Sequence, residues 1–413
     1  MKFNRTSQLV LAAAASLLAA TLVTACSQLT QTLTVDFVYV ASARAAGSNN
    51  YGEIDVFEIN SESGRMRQIP TSPFPSGGRN PVAEAVSADY GSLFVVNQDD
   101  NTIVQFDIGI DGKLYPYNTV NTPGVFPLAI AANKSSLFIV DLYQPLPICS
   151  DADPCSGMIA VYPLTAATST TPVALGTPVT NPAVTGQYWP LTLTGAIASH
   201  VIVPTAVNVL ASGAYVYVTA YDSSVTPYAG YIFGFSIGSG GVLTPLSGSP
   251  YAAGVQPSAI ASDATSTYVY VTDFSSGNVR GYTVVSGNLT PLAGGPFAAG
   301  NQPSAIVVDP SYPYAYVANS LDATVTAYSI NAGALTSNGT YSTGLQPVAI
   351  GIDPSTEHFL YAINFLGNTV SGFELSITGG TLLDSQLSPY ATNAQPTAVA
   401  AIPHNGTGSG IQQ

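Results

Sequence analysis

The sequence predicts an all-β chain, a seven-bladed β-propeller of four-stranded antiparallel blades, with the ring closed by N-terminal strands B–D plus a C-terminal strand A. Three observations predict it. Of 413 residues 46% are hydrophobic and only 8% charged, too few Glu, Lys and Arg to cover the outer faces of a helical bundle. A Pro-x-Ala motif recurs at Pro81, Pro127, Pro204, Pro257, Pro303, Pro347 and Pro396, and self-similarity at a period in the mid-forties marks radial repeats. Between the motifs lie short runs rich in Tyr, Val, Thr and Ile, bounded by Gly and Pro, which read as strands.

The N-terminus comes first in the chain and reads as an address. Lys2 and Arg5 precede an apolar stretch from Leu9 to Ala20, followed by Leu22-Val-Thr-Ala-Cys26. Small residues before a Cys resemble a bacterial lipobox, so residues 1–25 are expected to be a lipoprotein signal peptide. Cys26 would then carry the lipid, and residues 26–36 would tether the propeller to the membrane. An ordinary signal peptide with an incidental Cys is the alternative; the apolar run is short of the about 20 residues a span needs. The protein is therefore expected in the cell envelope of a bacterium, lipid-anchored and extracytoplasmic. The tail 404–413 reads as flexible.

Residues 37–403 supply the repeats. Strand B is Phe37-Val-Tyr-Val, then Leu93-Phe-Val-Val-Asn97, Leu137-Phe-Ile-Val-Asp141, Tyr215-Val-Tyr-Val, Tyr268-Val-Tyr-Val-Thr-Asp273, Tyr314-Ala-Tyr-Val-Ala-Asn319 and Phe359-Leu-Tyr-Ala-Ile-Asn364. Strand C spaces an aliphatic, an aromatic and an aliphatic residue, as in Ile54/Phe57/Ile59, Ile103/Phe106/Ile108 and Val279/Tyr282/Val284. Strand D is clearest in Leu243-Thr-Pro-Leu246 and Leu289-Thr-Pro-Leu292; its Pro removes a ladder donor and assigns it to the outer edge. The Pro-x-Ala strand is the innermost, A. The chain enters on strand B and ends on strand A, so one blade draws on both termini and leaves no open seam. Spacings between successive motif prolines are 46, 77, 53, 46, 44 and 49. The long interval marks an insertion at 142–203.

In this strand order the B–C and D–A loops share one face, which holds the unusual features. Cys149 and Cys155 lie in a B–C loop and in an oxidising compartment pair most simply as a disulfide. Asp151 and Asp153 between them are a weak Ca²⁺ signal, and no metal or cofactor site is expected. The only Trp, Trp189, sits in the long segment before Pro204, either pinning it or facing a ligand. Phe74, Tyr251, Phe297 and Tyr390 precede strand A and serve either blade packing or a ligand. Asn80, Gln256, Gln302, Gln346 and Gln395 stand just before motif prolines, as a candidate ligand-binding ring at the channel mouth or as partners of nearby backbone groups. Asn97, Asp141, Asp273, Asn319 and Asn364 are expected to cap the B–C turn.

One position breaks the pattern. After Pro-x-Ala stand Ile130, Val207, Ile260, Ile306, Ile350 and Val399, but Glu84 in the first repeat. A carboxylate there is expected to be paired, with Arg79 nearest in sequence, or protonated. It is a candidate catalytic base, with the structural ion pair as the alternative.

The strand Tyr268–Asp273, the Val279-x-x-Tyr282 strand, the Gly287-Asn-Leu-Thr-Pro-Leu292 turn and Gln302-Pro-Ser-Ala-Ile306 resemble YVTN-repeat and lactonase-type propellers, similar to the bacterial 6-phosphogluconolactonase family. The resemblance spans roughly Phe37 to Pro403 and implies the fold. It also implies two functions, since such propellers include lactone hydrolases and binding proteins alike. A lactonase needs a base and oxyanion donors, and a phosphorylated substrate needs cations. Glu84, His200 and Arg79 are the candidate catalytic set on the loop-rich face.

With 9 Lys and Arg against 23 Asp and Glu, the net charge is −14, which opposes nucleic acid and phosphorylated substrates alike. The sequence therefore carries two readings. The first is a monomeric, lipid-anchored module binding an unidentified protein or small-molecule ligand on its loop-rich face. The second is a lactonase-like hydrolase acting on an uncharged lactone in the channel.

Overall fold

The computed structural model describes residues 34–46, 49–145, 149, 155–168, 170–183, 188–197, 199–354 and 358–403. The expected signal peptide, Cys26, most of the tether, Asp151, Asp153 and the tail 404–413 lie outside the described residues.

The seven Pro-x-Ala motifs fall in the inner strands of seven antiparallel sheets. Blade 1 joins Pro396–Pro403 to Thr34–Ala46, Tyr51–Asn60 and Met66–Gln68. Blade 2 runs Pro81–Val86, Ser92–Asn97, Thr102–Ile108 and Leu114–Asn121; blade 3 runs Val125–Ala132, Ser136–Tyr143, Met158–Thr165 and Ala174–Leu175. Blades 4 to 7 begin with Ile202–Val209, Pro257–Ser262, Pro303–Val308 and Pro347–Ile352. In each blade the motif Pro opposes a residue in the C-terminal half of strand B, for example Pro257 against Asp273, and a register shift follows it directly. The missing donor of Pro is thus placed where the ladder is already broken.

Seven apolar clusters lie at the seven junctions between adjacent blades, from Tyr39 and Phe106 between blades 1 and 2 to Val40 and Tyr361 between blades 7 and 1. Both faces of each sheet are therefore buried, which is why strand B reads as a continuous apolar run. Tyrosine serves this arrangement because its ring fills a junction while its hydroxyl crosses it. The Tyr at the third position of the strand-B motif donates forward to a Gly carbonyl in the next blade's C–D turn: Tyr39 to Gly112 at 3.1 Å, Tyr217 to Gly287 at 2.7 Å and Tyr270 to Gly333 at 3.0 Å. The strand-C Tyr donates backward: Tyr162 to Asn121, Tyr282 to Ala252 and Tyr328 to Ala298. The receiving turn needs Gly; at Gly333 φ is +85°, and a Cβ would meet the Tyr268 ring at 2.5 Å.

A second set of contacts staples the inner strands. Ser258, Ser304 and Thr397, each just after a motif Pro, donate to the carbonyls of Pro303, Pro347 and Pro81 in the following blade, at 2.5, 2.7 and 2.8 Å.

Two details differ from expectation. In five blades a short strand in the D–A segment returns to strand C. It carries Phe74, Trp189, Tyr251, Phe297 and Tyr390 opposite Ile54, Ile159, Ile232, Val279 and Val370. These aromatics belong to the outer part of each blade; Trp189 is buried and its Nε1 donates to Leu243 O in blade 4 at 2.8 Å. The strand-B carboxylates and amides also turn the other way. Asp141, Asp273 and Asn319 accept amides of the D–A loop, from Gly124, from Val255 and Gln256, and from Gly300. Of these three, Asp273 also reaches the B–C turn, through the Ser276 amide. The D–A loop is the one whose motif Pro gives up a donor, and its remaining amides point inward at the buried strand end.

Candidate functional site

The B–C and D–A loops meet on one face, as Arg79 and Asn80 show by bonding the loop at 98–100. Arg79 Nε lies 2.7 Å from Asp100 Oδ1 and its amide 2.7 Å from Asp100 Oδ2. Arg79 therefore does not pair with Glu84. Both Glu84 carboxylate oxygens are shut off from solvent and have no hydrogen-bond partner at normal geometry. Burial drives the carboxyl well above the usual carboxylate range, with the nearby Ala400 main chain opposing the shift. Glu84 thus stands in the wall between blades 1 and 2, near Tyr39, whose hydroxyl is pushed up first by burial and then by the charges of Glu84 and Asp111.

His200 stands two residues before the inner strand of blade 4. Its Nδ1 lies 2.6 Å from Asp222 Oδ2, and the Asp222 side chain is 2% exposed against 24% for His200. Ser156, beside the disulfide, donates to His200 O at 3.2 Å and accepts from the Ile202 amide. The Cys149–Cys155 bond is formed, with the Cα atoms 5.5 Å apart. No hydrogen bond or ion pair joins Glu84, His200 and Arg79; each has its own surroundings, in blade 2 or blade 4.

The amide ring has a backbone explanation. Asn80, Gln302, Gln346 and Gln395 adopt φ of 55°, 54°, 55° and 61°. Their carbonyls, and that of Gln256, accept an amide one residue past the strand-B residue facing the motif Pro: Gln98, Ser320, Phe365, Ala43 and Phe274. The side chains divide. Asn80 is engaged by Gln98 and Asp99, and Gln256 Oε1 accepts from Ser275. Gln302, Gln346 and Gln395 have no side-chain hydrogen bond among the described residues. In blade 3 the same left-handed position, at φ 57°, is held by Phe126, whose ring meets Tyr143 edge-on.

At the mouth of the channel, a recess of about 250 Å³ opens between the inner strands of blades 3, 4 and 5. Leu128, Thr205, Ser258, Gln256 and Phe274 line it, with the prolines Pro204 and Pro257. No charged side chain does. Thr205 and Ser258 spend their hydroxyl protons on Thr219 and Pro303 and keep acceptor capacity. Gln256 keeps its Nε2 donors. Toward blades 6 and 7 the face is apolar, with Leu321, Leu345 and Leu366 each 59–65% exposed. Sequence reasoning placed Gln256 here but missed Thr205, Ser258 and Phe274, although a hydroxyl at the x of Pro-x-Ala was visible. It also missed Asp222 as the partner of His200.

Comparison with known proteins agrees with this architecture. Residues 285–400 match the sequence model of the family described as "Lactonase, 7-bladed beta-propeller". The chain is similar to a candidate 6-phosphogluconolactonase of Bacteroides fragilis, with 19% identity and a TM-score of 0.70 over 90% of this chain and 99% of that one. The periplasmic gluconolactonase of Pseudomonas aeruginosa gives 18%, 0.64, 89% and 99%. A functionally unknown protein of Desulfotomaculum acetoxidans gives 14%, 0.59, 89% and 98%. No curated protein sequence matches. The chain is thus a seven-bladed propeller resembling the lactonase type. At these identities the structural likeness shows the fold alone.

Proposed function

We propose that the protein is an extracytoplasmic binding module, anchored through Cys26, that receives an uncharged hydroxyl-bearing small molecule at the channel mouth. The observation that carries this reading is the recess itself, where amide donors, hydroxyl acceptors and the Phe274 ring meet without a charge. The acid singled out by sequence, Glu84, is withdrawn from solvent, and Arg79 is held by Asp100. Calorimetric titration of the soluble chain from Ser27 with neutral polyols and sugars tests the reading. Saturable binding that disappears in Gln256→Ala and Phe274→Ala supports it; binding that survives both variants, or no binding to the panel, refutes it.

A second reading rests on a specific feature. Asp222 holds His200 by one ring nitrogen, the arrangement that orients an imidazole as a general base. With the family match over residues 285–400, this supports hydrolysis of an uncharged lactone. Turnover of neutral lactones that is lost in His200→Gln and kept in Glu84→Gln would establish it. Turnover lost only in Glu84→Gln would return the chemistry to the inner wall.

A further inference from the structure

The opposite face, built from A–B and C–D turns, holds a larger cavity of about 550 Å³ between blades 2 and 3. We propose that it binds a small zwitterion with an aliphatic body, of the size of a free aliphatic amino acid or a dipeptide. Leu164, Val173 and Ala167 supply an apolar surface, while Asp89 and Lys134 reach the cavity from the A–B turns of the two blades.

The two charges are disposed for a ligand rather than for each other. Asp89 is fixed, because its Oδ1 accepts from Ser87 Oγ at 2.5 Å and from the Gly91 amide at 3.2 Å. Arg67, Arg79, Lys113 and Arg280 each have an acidic partner. Lys134 has none among the described residues, although Asp89 lines the same cavity. An ammonium and a carboxylate that share one cavity without pairing leave room for a molecule carrying the complementary charges, each met by a charge-assisted hydrogen bond. A ligand with a carboxylate alone would leave Asp89 facing it unneutralised, and one with an ammonium alone would leave Lys134.

The wall is peculiar to this junction. Blade 3 runs from Thr165 to Ala174 between its third and fourth strands, where blades 5 and 6 turn from Val285 to Asn288 and from Asn331 to Ala334. This longer connection brings Ala166, Ala167 and Thr168 over the cavity, with Thr168 and Thr171 bonded main chain to main chain at 2.9 Å. Gln105 holds its far end. The residue before the strand-C aromatic is Val56, Val161, Gly234, Gly281, Ala327 or Gly372 in the other blades, and only blade 2 buries an amide there. Gln105 Nε2 donates to Val173 O at 2.6 Å and to Ser92 Oγ at 3.2 Å, while its Oε1 is buried without a partner. An apolar residue would avoid that orphan acceptor. Gln105 instead ties Val173, a lining residue, to the neighbouring blade and keeps the cavity open to a fixed shape.

The test is titration calorimetry on the soluble chain from Ser27 with L-leucine and Leu-Leu, beside N-acetyl-leucine and leucinamide, which each lack one charge. Saturable millimolar or tighter binding of a zwitterion, weakened about tenfold by either block, is expected. Lys134→Gln, at an exposed position, should weaken the zwitterion about tenfold, leave leucinamide unaffected and keep the melting temperature. No saturable binding of any of the four overturns the proposal. So does equal binding of all four, or wild-type affinity in Lys134→Gln. Phe274→Ala lies on the other face and should leave this binding unchanged, which separates its outcome from that of the channel-mouth reading.

Discussion

Blades 3 and 5 place an Asp at the same register, opposite the motif Pro, and treat it differently. Asp273 of blade 5 accepts amides from Val255, Gln256 and Ser276 and has Arg280 Nε at 3.8 Å. Asp141 of blade 3 accepts the Gly124 amide at 3.3 Å, and its Oδ1 is buried without a partner. Burial raises the Asp141 carboxyl from 3.8 to about 7, against hydrogen bonds from Thr122 and Gly124. The cause lies one residue before the Pro. In blade 5 the Gln256 amide points at Asp273, whereas in blade 3 the Phe126 amide is drawn to Asn101 Oδ1 at 2.6 Å. One diverted amide and one absent guanidinium separate a well-served buried side chain from a stranded one. Two side chains buried to the same depth thus differ in the number of donors aimed at them.

A large effect should come from removing the well-served member. Asp273→Ala leaves three amides and a half-buried Arg280 without their acceptor, and should cost about 3 kcal/mol or more in denaturant unfolding. A loss below that of an ordinary surface change would show the cluster to be water-satisfied.

The stranded member, Asp141, should make stability depend on pH. Its folded pKa is raised, so its stabilising share is complete below about pH 4 and is lost as pH climbs through about 7. The fall is on the order of 4 kcal/mol. Asp141→Asn should therefore gain stability at pH 8, little at pH 4, and flatten the profile in that window. Asp55, raised to about 6 mainly by burial and further by Glu53, adds a smaller fall of the same sign that persists in the variant. Identical pH profiles of the variant and the wild type would show Asp141 to be ionised and served in solution.

The same contrast recurs among the tyrosines. Tyr270→Phe breaks the bond to Gly333 O and should cost about 1 kcal/mol. Tyr316 Oη is buried without a partner, so Tyr316→Phe should be neutral or stabilising in the same melt. The smallest effect belongs to Arg79→Ala, whose guanidinium lies half-exposed against Asp100. No measurable shift in melting temperature is expected at physiological salt.

These contrasts bear on what the sequence could convey. The ring was legible because the Pro-x-Ala, strand-B and strand-C spacings each state a strand's depth and partner. Glu84 was legible as an exception, since six aliphatics surround it in register. Its isolation from Arg79 was not, because a D–A loop residue turns toward the B–C loop and proximity in sequence says nothing of that. Gln105 was an exception of the same kind, and comparison of the strand-C repeats at that one position would have exposed it. The amides before the motif prolines were legible by type, but their left-handed backbone rather than their side chains explains the position.

The strand Thr34–Ala46 pairs on one side with Tyr51–Asn60 and on the other with Pro396–Pro403, and the Asp55 carboxylate accepts the Asn393 amide across that seam. A nascent chain can assemble its other blades in the order of synthesis, yet the first blade keeps a bare inner edge until the final strand arrives. A chain cut short before Pro396 would carry that edge permanently, with Thr397 missing from Pro81 as well. The ring therefore closes only when the final strand is in place, and until then the first blade carries an unpaired strand edge.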